Sequence, residues 1–163
     1  METFARFENT PLSIWFRESG VAFFSTLTLH SLAMGLVVGI NIALGLRLAG
    51  FARSIPLQGL RHFYPLHWFC ALLILLSGIG LLIAYPAKAL TNPLFYLKLC
   101  ALSVALLLYR YFQNWMASQD DEINPTPHLR RLAIIMLVLW IITITAGRFL
   151  AYTHWVLLAS HLS

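Results

Sequence analysis

Carboxylates are scarce in this chain, and their placement excludes more than their number does. There are six Asp and Glu against eleven Lys and Arg in 163 residues. Glu2, Glu8 and Glu18 precede the first long apolar run, Asp120, Asp121 and Glu122 share one loop, and no apolar run contains an acid. Paired carboxylates for hydrolysis, a buried Asp or Glu proton relay and an oxygen cage for a hard metal are all excluded. The only two cysteines, Cys70 and Cys100, lie in different runs without a C-x-x-C or C-x-x-C-H pattern. Covalent c-type haem and a zinc ribbon therefore have no support. The four methionines, at 1, 34, 116 and 136, form no cluster, which places copper handling or small-solute transport lowest among the functions considered.

Charge of either sign is rare, at 10% of residues, where a soluble domain carries about a quarter. What fills the space is apolar: 60% of the chain is hydrophobic and its mean hydropathy is +0.77. This composition predicts a membrane chain whose length accommodates about four spans of ~20 residues. None of the seven prolines falls inside an apolar run, so they mark span ends. The spans expected are 20–46, closed by Arg47; 66–84, entered after Pro65; 93–115, with Lys98 near its start; and 132–159, entered after Arg130 and Arg131 and interrupted by Arg148. Short connections predict an all-α, up-down four-helix bundle forming a single membrane domain over residues 1–163.

Residues 3–18 mix aromatic and charged side chains and are expected to lie in the headgroup layer, not to form a cleavable signal. The basic residues are scattered singly, apart from Arg130 and Arg131, which argues against nucleic acid as a partner. Arg47, Arg53, Arg61, Arg110, Arg130 and Arg131 fall on one side and Arg6, Arg17, Lys88 and Lys98 on the other, predicting both termini on the outer side. Tyr85, Tyr109, Tyr111, Trp68, Trp115 and Trp155 read as an interfacial aromatic belt. Small residues recur every four positions at Ser31, Gly35, Gly39 and Ala43, and at Thr143, Gly147 and Ala151. Each series predicts a seam of close helix contact in lipid.

Three ionisable side chains fall within the spans: His30, Lys98 and Arg148. At ~1.5 Å rise per residue, His30 and Arg148 lie at similar depth in the outer half, with Lys98 somewhat higher. Ser77, Gly78 and Gly80 of the second span fall near the same layer. A b-type haem needs an imidazole ligand, room for a flat macrocycle and cations for its propionates. His30 is the candidate ligand; Gly35, Gly78 and Gly80 provide clearance; Arg148 and Lys98 are candidate propionate partners. The second axial ligand would be His154, about 9 Å nearer the surface, because His67 lies at the inner end of its span. Plainer alternatives stand beside these roles. His30 can instead be hydrogen-bonded to a neighbouring Ser, Thr or Tyr, and Arg148 can pair with helix carbonyls or lipid phosphate. His62, His128 and His161 fall in loops or the tail, where a solvated imidazole is expected, and so does the acidic loop.

Several of these elements carry a resemblance. Leu46-Arg47-Leu48-Ala49-Gly50 after the first span, Asn92-Pro93 with Phe95 and Lys98 opening the third, and Trp140 with Gly147-Arg148-Phe149-Leu150-Ala151-Tyr152 in the fourth resemble a family of small four-helix bacterial membrane proteins of uncharacterised function. His30 also fits its pattern, whereas Gly45 stands where that pattern often has an acid. The resemblance implies the four-helix fold and the bacterial inner membrane. A looser likeness, by bundle type, joins the chain to copper-resistance D and cytochrome b561-type proteins. The sharpest functional expectation is a haem b subunit passing electrons between a quinol pool and a periplasmic or membrane partner. A non-redox accessory subunit of a larger membrane complex is the alternative. On its own the chain is not expected to be an enzyme.

Overall fold

A computed structural model of the chain describes residues 10–118 and 125–160, with the side chains of 87, 88 and 151–160 outside the description. The described residues form seven helices: α1 (Pro11–Glu18), α2 (Gly20–Ala49), α3 (Leu57–Arg61), α4 (Tyr64–Ala84), α5 (Pro86–Leu90), α6 (Pro93–Ala117) and α7 (Pro127–Ser160). Four segments are long and apolar enough to cross a membrane: Gly20–Ala49, Leu57–Ala84, Pro93–Ala117 and Pro127–Leu150. The protein is an all-α bundle of four long apolar helices, and its composition makes it a small multi-pass membrane protein in contact with the lipid bilayer.

Local chemistry sets the helix starts. Thr10 accepts a hydrogen bond from Ser13 N at 3.4 Å with proline in the first turn of α1, and Ser19 accepts from Ala22 N at 3.3 Å to open α2. Asn92 Oδ1 accepts from Leu94 N at 2.9 Å at the start of α6, and Thr126 Oγ1 from Leu129 N at 3.4 Å at the start of α7. The two short helices, α3 and α5, lie in connections that the sequence reading treats as loops.

Two span ends differ from expectation for the same reason, that arginine was taken as a boundary. α2 continues through Arg47 to Ala49 and ends on Gly50, whose φ of 95° is the left-handed conformation glycine adopts without a Cβ clash. Phe51 N then donates back to Leu46 O at 3.0 Å. Arg47 is buried and donates from Nε to Ile55 O at 2.7 Å, fastening the returning chain to the helix. The Leu46–Gly50 element is thus a helix terminus with its own clamp. α7 likewise starts at Pro127, carrying Arg130 and Arg131 in its first turns.

α2 is the central helix, packing against α4 on one side and α7 on the other, while α7 also packs along α6. The backbones of α4 and α6 do not approach closely along their length. They are joined by side chains at the end of the bundle that carries α3: Tyr64 Oη donates to Met116 Sδ at 3.4 Å and Trp68 Nε1 to Gln113 Oε1 at 3.0 Å, while Arg61 Nη2 of α3 donates to Met116 O at 2.5 Å. At the opposite end α1 lies on α4, where Ser13 Oγ donates to Ala84 O at 3.4 Å. Of the segment 3–18 expected in the headgroup layer, residues 3–9 lie outside the described ones.

Polarity is arranged as a bilayer requires. Asn41, His67, Ser77 and Thr143 are buried inside, whereas Leu72, Leu75, Leu107, Ile141 and Phe149 are exposed on the outside. The small-residue seam of α2 is not where the spacing puts it. A Cβ on Gly35 or Gly39 would meet nothing within 4 Å, and both glycines line an open groove of about 290 Å³ with Leu36, Ile40, Ala43, Leu60 and Phe63. The close approach is made at Gly45, where a Cβ would lie 2.7 Å from Leu137 Cδ2 and 3.3 Å from Met136 Cε. Counting ~100° per residue puts Gly35 and Gly39 about 140° and 180° away from His30 around the helix, but Gly45 only about 60° away. In α7 Thr143 is buried and Gly147 half-buried, so that series does face the bundle at those two positions; Ala151 lies outside the described side chains.

Candidate functional site

One layer near the α1 end brings side chains from all four long helices together. His30 of α2 places Nδ1 2.8 Å from Ser77 Oγ on α4. The Ser77 hydroxyl turns back along its own helix, 2.5 Å from Leu73 O and 3.3 Å from Ile74 O. A hydroxyl has a single hydrogen, and these carbonyls can only accept. Ser77 must therefore accept from His30, which fixes the proton on Nδ1 and leaves the lone pair on Nε2. The plain expectation of a histidine bonded to a neighbouring serine is met, and it has a chemical consequence: the free Nε2 is a coordinating or proton-accepting atom.

Gly78 lies against the imidazole, since a Cβ there would come 3.5 Å from His30 Cε1. Lys98 of α6 crosses to α7 and rests on Gly147, whose Cβ position is 3.5 Å from Nζ and 3.6 Å from Cε. Its charge acts electrostatically on the His30 ring. Lys98 is half-buried and makes no hydrogen bond among the described residues. Of the layer expected from helical rise, His30, Ser77 and Gly78 meet in space, while Lys98 packs on Gly147 of α7, a contact that depth counting does not assign.

Other candidates lie elsewhere. Arg148 is exposed on the surface of α7, about 100° around the helix from Gly147. Its exposure leaves the alternative of pairing with lipid phosphate open to it. Gly35 lines the outer groove and gives no clearance beside His30. At Gly80 the space is taken, because a Cβ would lie 3.1 Å from Phe16 Cζ of α1 and 3.4 Å from Thr26 Cγ2. That glycine seats α1. The side chain of His154 and all of His161 lie outside the described residues, as does the loop from Asp120 to Glu122.

Tyr109 is not a belt residue but fully buried, and His67 is fully buried beside it. Asn41 of α2 donates from Nδ2 to Val37 O and to His67 Nε2, each at 2.8 Å, and the His67 ring stacks on Tyr109 with centroids 3.6 Å apart. Residue spacing does not show this second polar cluster, nearer the α3 end, because it places His67 at a span end and Tyr109 in an interfacial belt, and only the packing of the helices brings their rings together. Helix arithmetic could have found part of it: Asn41 lies eleven residues, hence only about 20° around, from His30 on the same face.

Among the described residues no group of three or more His, Cys, Asp or Glu is placed to hold a metal ion. A bare ion would lack ligands. Haem brings four nitrogens of its own and asks the protein for only one or two. His30 fits that demand as one neutral imidazole with Nδ1–H already held, and Lys98 fits as a cation for a carboxylate. No protein-family model, no curated protein and no solved structure matches this chain.

Proposed function

We propose that this membrane protein is a b-type haem subunit of a redox complex, with His30 as axial ligand and Lys98 as partner for a propionate. The observation that carries the proposal is the fixed proton position on His30, which presents the Nε2 lone pair in a half-buried layer bounded by all four spans. A haem held there would supply one-electron transfer within the bilayer, between a quinol and a periplasmic or membrane-bound partner. The chain's own residues have simpler tasks. Ser77 orients the imidazole, Gly78 and Gly147 leave space beside the His30 ring and the Lys98 stem, and Lys98 would balance negative charge. His154 is the proposed second ligand. On the positive-inside count, the site faces the periplasmic side of a bacterial inner membrane.

The test is a reduced-minus-oxidised absorption spectrum of the chain purified in mild detergent from a haem-replete host. Soret and alpha bands are expected, with loss in His30→Ala and retention in His62→Ala. Absence of both bands from the unaltered chain refutes the proposal.

A second reading has its own observation. The groove formed by Gly35, Gly39, Ala43, Leu60 and Phe63 leaves the small-residue face of α2 uncovered, as an accessory subunit that docks on a larger membrane complex would require. Gly39→Leu should then remove a co-purifying membrane subunit without lowering thermal stability. Retention of that subunit by Gly39→Leu would refute docking through the groove.

A further inference from the structure

The cluster near the α3 end contains buried hydrogen-bond donors whose pairing can be worked out atom by atom. Asn41 Nδ2 lies 2.8 Å from Val37 O, and only the amide nitrogen can face a carbonyl at that distance, so the orientation of the amide is fixed. Its second hydrogen goes to His67 Nε2, also at 2.8 Å. Nε2 therefore accepts, and the proton of the neutral ring sits on Nδ1. That N–H is fully buried and has no partner among the described residues.

Tyr109 supplies a second donor in the same condition. Its hydroxyl is buried and unpartnered, and its ring lies over the His67 ring at a centroid distance of 3.6 Å and an interplanar angle of 17°. With the rings stacked this closely, one water can span the phenolic oxygen and Nδ1 by two ordinary hydrogen bonds when both groups lie on the same side of the stack. A direct bond is not made. Asn41 Oδ1, an acceptor in the same cluster, is likewise buried and takes neither hydrogen, so the two donors call for another acceptor. A metal ion is excluded because Nδ1 is protonated, and both residues are 0% exposed, so the occupant is internal and small.

We propose that a single buried water molecule bridges His67 and Tyr109, accepting from Nδ1–H and from the phenolic O–H. Water has the two lone pairs this requires, and polar internal sites of this kind are where buried water is found. The position gives the water a structural task. α4 and α6 do not approach by backbone, and the bridge adds a polar link beside the Tyr64–Met116 and Trp68–Gln113 bonds that hold these helices together.

The experiment compares the full chain with Tyr109→Phe in detergent, a change that keeps the ring stack and removes one donor. If water is bound, losing a bridge partner lowers Tm by about 2–4 °C. If the site is dry, the substitution removes an unsatisfied hydroxyl and Tm stays the same or rises, which overturns the proposal. A second measurement needs no folded variant. In the unaltered chain labelled with ¹⁵N-histidine, the His67 signal is expected to show a protonated Nδ1 whose hydrogen gives a cross-peak to water. An unprotonated Nδ1, or a protonated one with no water cross-peak, overturns the proposal. Neither readout depends on haem at His30.

Discussion

Replacing Gly45 with alanine should destabilise the bundle, although alanine is the better helix former. The added Cβ would lie 2.7 Å from Leu137 Cδ2 and 2.8 Å from Leu137 Cγ, with Met136 Cε at 3.3 Å. Carbon atoms prefer separations of about 3.5–4.0 Å, so α2 and α7 must move apart or Leu137 must leave its rotamer. Overpacking of this kind costs about 1–3 kcal/mol. The helical preference for alanine over glycine returns at most about 1 kcal/mol. A net loss of about 1–2 kcal/mol follows, read as a Tm lowered by about 3–6 °C in mild detergent by circular dichroism. Truncating Leu137 to alanine removes both clashing atoms. The double variant Gly45→Ala with Leu137→Ala should therefore be more stable than the two single losses sum to, by about 1 kcal/mol or more. Gly35→Ala and Gly39→Ala serve as controls, since nothing lies within 4 Å of either Cβ position, and neither should lower Tm. Wild-type stability in Gly45→Ala together with a loss in Gly39→Ala would refute the reasoning and restore the contact seam that residue spacing suggests.

Ser77→Ala leaves the His30 Nδ1–H without its acceptor; it should cost about 1–3 kcal/mol in thermal unfolding and lower haem retention about 10–100-fold if haem is bound. Arg148→Gln should change stability by no more than about 0.5 kcal/mol and leave haem content unchanged, because the side chain is exposed; loss of haem would place Arg148 back in the site. Arg47→Met removes the Nε bond to Ile55 O from a buried position and should cost about 1–3 kcal/mol, with faster proteolysis in residues 51–56; an unchanged digestion pattern would deny the clamp.

Composition and the distribution of charge were enough to determine an all-α membrane bundle, because four uncharged or nearly uncharged runs of this length have one stable form in lipid. Depth was legible as well. A fixed rise per residue put His30 and Arg148 at one depth near Ser77, Gly78 and Gly80, with Lys98 somewhat higher, and the structure brings His30, Ser77 and Gly78 together but leaves Arg148 exposed. Azimuth was not legible in the same way. The long helices are apolar nearly all round, so hydropathy does not mark the face turned inward, and Gly35, Gly39 and Arg148 were given to an interior they do not face.

Interhelix contact was also beyond the sequence. Gly80 reads as free volume until Phe16 is seen lying on it, and His67 and Tyr109 read as boundary residues until α4 and α6 bring their rings together. The sequence alone thus determined that the chain is a multi-pass membrane protein with four long apolar helices and where along each helix its few polar groups lie, since hydropathy and helical rise are one-dimensional quantities. Only the tertiary structure decided which groups meet and which glycine carries the close contact, because helix rotation and packing depend on side chains from segments far apart in the chain.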